Sequence, residues 1–215
     1  MRQIVKGPEP ASLTAYRHTP DCCYDDYRAM DDLRYALVTE QRGLCCYCMG
    51  RIHNEPLTMK IEHWQCQSRY PREQLNYRNL LGACLGGQGQ PPHLQHCDTR
   101  KGNSDLQRNP ANAAHHIETR IWYEQDGSIH AEDAVFDCQL AQVLNLNLPL
   151  LKNTRKGVLD AVLEWWKREK ARIAGPVSRE RFVREREKYI AGNGEISPHS
   201  PVAVWWLGQR LAKMA

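Results

Sequence analysis

Apolar residues along DYRAMDDLRYALVTEQRG recur at helical spacing, at Met30, Leu33, Leu37 and Val38, and Gly43 stops the run, which predicts a helix. Residues 1–22 ahead of it, with Gly7, Pro8 and Pro10, read as an irregular arm. From Pro56 the period falls to two. LTMKIEHW puts Leu57, Met59 and Ile61 on one face of a strand and Thr58, Lys60 and Glu62 on the other, with His63 at or just past its end. QLNYRNLLGAC reads as a loop entering a short helix, LGGQGQPPHLQ as irregular, and HCDTRKGNSDLQRN as another short helix.

Asn109 and Pro110 mark a boundary, after which HIETRIWYEQDGSIHAE predicts a hairpin turning at QDGS. Helical patterns follow in FDCQLAQVLNLN, SRERFVREREKYI and SPVAVWWLGQRLAKM. The longest is LPLLKNTRKGVLDAVLEWWKREKARI, with Leu151, Val158, Leu159, Val162 and Trp165 at helical intervals. No internal repeat is present. The chain is therefore expected to be α+β in three segments: an arm and helix over 1–43, a cysteine-rich core over 44–110, and a hairpin with a mainly helical region over 111–215.

A chain of 215 residues can bury a sizeable core, and its charges are mixed with apolar residues throughout, which excludes a disordered class. The formal net charge of +4 permits a nucleic-acid partner without arguing for one. The excess is uneven: residues 151–190 hold 12 Lys or Arg against 6 acids, whereas residues 118–137 hold one Arg among six acids. One face is thus suited to phosphates and another to a basic partner, unless both are simply solvated. MRQIVKGPEPAS has no apolar core of a signal peptide, and no run approaches the roughly 18 apolar residues of a membrane span. A cytoplasmic protein without membrane contact is expected.

Nine cysteines without a secretion signal argue for metal binding or reduced thiols over a disulfide framework. Cys45 and Cys48 have the two-residue spacing that lets a tight turn offer both sulfurs to one Zn²⁺, with Cys46 pointing away. Cys84 and Cys97 are the preferred second pair, joined across the flexible insertion, and His96 is the reserve ligand, with His93 also near. A thiol redox pair at Cys45 and Cys48 lacks the parallel βαβ surroundings such pairs have. Glu62 and His63, adjacent at a strand end, supply a carboxylate for a cation and an imidazole to take a proton from water. Lys101 reads as a phosphate contact or a solvated surface lysine.

The ordered set of Cys45 and Cys48, Glu62 and His63, Asn79 in NLLGAC, then Cys97, Asp98 and Lys101 in HCDTRKG resembles the HNH nuclease family and its zinc-stabilised ββα-metal core, over Cys45 to Gly102. That resemblance implies His63 as general base, Glu62 as first ligand of a catalytic Mg²⁺ or Mn²⁺, and Asn79 as the brace of the metal loop. Asp98 falls where the family usually shows His or Asn; a carboxylate suits a hard cation, and His96 is its rival. With CCYC, IEHW and LNLNLPLLKNTRKG included, the chain from about Cys45 to Arg155 looks more closely like the HNH nuclease component of Septu-type anti-phage systems, which also accompanies some retrons. This implies a structural Zn²⁺, DNA as the target and a separate ABC/SMC-like ATPase as partner, with 111–215 contacting partner or nucleic acid. A zinc-ribbon module that binds without cutting is the competing expectation. Trp165, Trp166, Trp205 and Trp206 read as interface anchors, toward the ATPase or a second copy in a homodimer.

Overall fold

The computed structural model describes residues 1–214. The arm is less irregular than its composition predicts, because Pro10 opens a short helix α1 (Ala11–Tyr16) that buries Leu13. Helix α2 (Met30–Glu40) follows as expected and buries Leu33 and Leu37. Its end is tied to the core by the buried Gln41, whose amide donates to the carbonyls of Leu44 and Gly82 at 2.7 Å. The chain then turns back tightly, with Cys45 N–H on the Gly50 carbonyl at 2.8 Å and Met49 N–H on the Cys45 carbonyl at 3.1 Å.

Strand β1 (Met59–His63) begins later than the alternation suggests, so Leu57 stays outside it and 85% exposed. NLLGAC is a strand and not a helix. Strand β2 (Leu80–Cys84) pairs antiparallel with β1, from Met59 opposite Cys84 to His63 opposite Leu80. Its residues from Leu80 to Ala83 are buried on both faces, and a short unbroken apolar run of that kind carries no period to separate strand from helix. At Gly82 the packing is close: a Cβ there would stand 2.9 Å from Ile52 Cδ1, so that side-chain end would have to shift. The Gly/Pro-rich insertion that follows folds back through Gly86, whose carbonyl accepts the His96 N–H at 2.9 Å, and at a φ of +57° only glycine is at ease there. The return delivers helix α3 (Cys97–Lys101), packed on β2.

The hairpin is present as β3 (Ile121–Tyr123) and β4 (Ile129–Ala131). Helix α4 (Ala134–Cys138) runs on into a π turn, and α5 (Pro149–Arg172), α6 (Arg179–Ile190) and α7 (Pro201–Ala212) complete the chain. The main core gathers the cysteine turn, the hairpin and the start of α5, while a second cluster joins α1, α2 and β2 and a third joins α5, α6 and α7. Each of the four tryptophans expected at an interface has an aromatic partner within the chain: Trp165 with Phe182, Trp166 with Trp206, and Trp205 with Tyr123. Their packing joins helices and hairpin to one another. No helix of the described residues is long and apolar enough to cross a membrane.

Candidate metal centre and catalytic cleft

Four thiols, those of Cys45, Cys48, Cys84 and Cys97, lie within 4.8 Å of one another. They come from the turn after α2, the end of β2 and the first residue of α3, so one cluster ties three elements. The sulfurs of Cys45 and Cys97 are 3.9 Å apart and those of Cys48 and Cys84 3.7 Å. A tetrahedron with Zn–S bonds of about 2.3 Å has edges of about 3.8 Å, so the separations fit one zinc ion. All four are free thiols. Burial opposes ionisation of Cys45, yet hydrogen bonds from Cys46, Cys48, Cys84 and Cys97 hold its thiol well below the usual range, while burial pushes Cys97 well above it. Four sulfurs competing for so little charge in a dry pocket is the condition that a dication relieves. Cys46 stays out of the cluster, and so does the reserve His96, whose Nδ1 stands 3.1 Å from the Cys97 sulfur.

One residue beyond Cys97 the environment changes. Asp98, Glu62 and His63 line a cleft of about 430 Å³ together with Lys60, Gln67 and Thr99. Glu62 is buried, accepts a hydrogen bond from Tyr47 Oη at 2.7 Å and pairs with Lys101 Nζ at 2.8 Å. Burial, and then the neighbouring Asp98 carboxylate, push the Glu62 carboxyl well above the usual range, with Lys101 opposing. Two hard oxygen donors, a buried Glu62 and a part-exposed Asp98, are the donor type that suits Mg²⁺ or Mn²⁺, which take few protein carboxylates. Lys60 Nζ stands 3.4 Å from the second carboxylate, Asp98, and donates to Thr99 Oγ1 at 2.9 Å.

His63 is held in a defined tautomer. Its Nε2 lies 2.9 Å from the Gln74 carbonyl, which can only accept, so Nε2 carries the hydrogen and Nδ1 the lone pair. Gln67 donates to that Nδ1 at 3.3 Å. Burial, opposed by the Gln74 contact, keeps the imidazole below its ordinary pKa of 6.5, so it is neutral at neutral pH. Asn79 fixes the loop that brings Gln74 to His63: its amide donates to the carbonyls of Gln65 and Glu73 at 3.0 Å, and its Oδ1 accepts the Gln65 N–H at 2.7 Å. From the arm, Tyr24 packs its ring against the imidazole with centroids 4.4 Å apart, and its N–H bonds the Gln74 side chain at 3.0 Å.

The structure thus gathers Glu62, His63 and Asp98 at one cleft with Asn79 behind them, and the cysteines beside it. Lys101 behaves otherwise: its side chain has 0% exposure and its ammonium is spent on Glu62 and on the His63 carbonyl at 3.1 Å. His96 does not line the cleft. Sequence reasoning missed Lys60, Gln74 and Tyr24. Lys60 had a signal, since it lies two residues before Glu62 on the same strand face; the other two act through a backbone carbonyl and a distant arm and had none.

No family model matches the chain. A protein of Bacillus thuringiensis named Septu protein PtuB is 30% identical over 78 residues, which are 36% of this chain. The match spans 26% of that curated relative's length.

Proposed function

We propose that the protein is a metal-dependent HNH endonuclease that hydrolyses phosphodiester bonds in DNA. The observation that carries this reading is the His63 imidazole, with Nε2–H committed to Gln74 and the Nδ1 lone pair, capped by Gln67 at 3.3 Å, facing a cleft that also holds Glu62 and Asp98. His63 takes a proton from water at Nδ1, the water oxygen bonds to phosphorus, and the bond to the leaving 3′-oxygen breaks. Bulk solvent protonates the departing oxygen. Glu62 and Asp98 would hold Mg²⁺ or Mn²⁺, whose chemistry when bound is charge stabilisation on the phosphoryl group and leaving oxygen. Asn79 orients the base through the loop that carries Gln74. Cys45, Cys48, Cys84 and Cys97 would hold a structural zinc that keeps α3, and with it Asp98, against β2.

The partial likeness to Septu protein PtuB supports a defence role. In that reading the chain is the effector of an anti-phage system, held in check or directed by an ABC/SMC-like ATPase. The test is cleavage of supercoiled plasmid in Mg²⁺ or Mn²⁺ by the purified chain, alone and with a co-encoded ATPase, beside His63→Ala. Nicking or linearisation that disappears in the variant supports the nuclease. Equal DNA binding by both proteins with no cutting under any condition would replace it with a zinc-ribbon binding module.

A further inference from the structure

We propose that Lys60 is the residue through which the cleft grips the scissile phosphate, an inference that rests on the nuclease reading above. Two lysines approach the two carboxylates, and their surroundings separate their roles. Lys101 is enclosed, with its ammonium on Glu62 and a backbone carbonyl, so it offers no surface to a phosphate. Its charge balances a carboxylate that would otherwise be buried alone. Lys60 lines the open cleft with 29% of its side chain exposed, and among the described residues its ammonium is held by Thr99 Oγ1 and by Asp98 Oδ2 at a loose 3.4 Å.

Strand geometry makes Lys60 a fixed neighbour of the reacting groups. It lies on the same face of β1 as Glu62, and its reach across to α3 puts the ammonium beside Asp98. A cation held by Asp98 would weaken that carboxylate's hold on Lys60, leaving the ammonium free for a substrate phosphate. The ammonium then donates to a non-bridging oxygen of the phosphoryl group, where charge gathers as the water attacks.

The experiment uses the full chain with its zinc, and Lys60→Met and Lys60→Arg variants. The first readout is plasmid cleavage in Mg²⁺, where Lys60→Met is expected to lower kcat on the order of 10²-fold, as the loss of one oxyanion donor does, and Lys60→Arg to restore most of it. The second readout is duplex binding in an inactive His63→Ala background with Mg²⁺, followed by fluorescence anisotropy across a salt series. One lost phosphate contact flattens the slope of log K against log salt by about 0.9, which a merely structural lysine would not do. An unchanged slope, or an unchanged kcat, in Lys60→Met overturns the assignment. The two readings fail separately: wild type and His63→Ala cutting alike removes the nuclease, whereas cutting that needs His63 but is indifferent to Lys60 removes Lys60 alone.

Discussion

The thiol cluster and the carboxylate cleft meet at the start of α3, where Cys97 belongs to one and Asp98 to the other. Cys97 is fully enclosed, whereas the Asp98 side chain keeps 20% of its surface. The first site is largely buried and made of four soft donors, so an ion held by all of them has no open position for substrate. The second is made of hard donors, is open to solvent at Asp98, and has its carboxylates paired with Lys60 and Lys101. In the proposed reading, structure and chemistry are divided between adjacent residues, so that one five-residue helix serves both.

The largest effect should come from breaking the closed site. Cys97→Ser, or prolonged chelation, should abolish cooperative unfolding of the region around β1, β2 and α3, because zinc binding at such a cluster is itself folding free energy. Elemental analysis beside a thermal melt reads this, and a zinc-free chain with an unchanged melt would end the structural role. His63→Ala should do the reverse: zinc and melt retained, with kcat lower by about 10² to 10⁴. An unimpaired variant removes His63 from the reaction.

The pH profile sharpens the same contrast. Burial lowers the His63 pKa below 6.5, and a base works in its deprotonated form, so the acid limb of kcat/KM should fall below pH 6.5 and activity should be flat through neutrality. A divalent cation nearby repels the imidazolium and moves the limb in the same direction. A limb above pH 6.5 would mean that a nearby carboxylate such as Asp98 stabilises the imidazolium by more than burial disfavours it.

Asn79→Ala comes next in size. It leaves the carbonyls of Gln65 and Glu73 and the Gln65 N–H without their partner, a loss of about 1–3 kcal/mol of stability for a buried group, read as a lower denaturant midpoint. The kcat should fall too, because the same loop carries the Gln74 carbonyl that fixes the His63 tautomer. A destabilised variant with undiminished kcat would separate the brace from the base.

How much of this was legible in the sequence follows from the range of each interaction. The four cysteines and the adjacency of Glu62 and His63 are chemical spacings, visible without a fold, and the long helix and the QDGS hairpin carry strong periods. β2 was not legible as a strand, because Leu80 to Ala83 are buried on both faces and alternate nowhere. Lys101 was misread toward the surface because lysine is rarely buried, and only the pairing with Glu62 reveals why this one is. Tyr24 and Gln74 act at distances of 39 and 11 residues from His63, through a ring face and a main-chain carbonyl that no residue type announces.

Tyr24 supplies the smallest effect and the finest test of the comparison, since it packs on the His63 ring and is no part of the thiol cluster. Its contact with His63 is ring against ring, nearly perpendicular at 86°, so Tyr24→Phe should retain both kcat and the pH profile. Tyr24→Ala should remove about 0.5–1.5 kcal/mol of aromatic packing and open the imidazole to water. The desolvation that lowers the His63 pKa is then partly relieved, and the acid limb should move up toward 6.5 while zinc content stays constant. If the limb stays in place in Tyr24→Ala, the arm covers the base without tuning it, and burial from the loop that Asn79 braces is sufficient on its own.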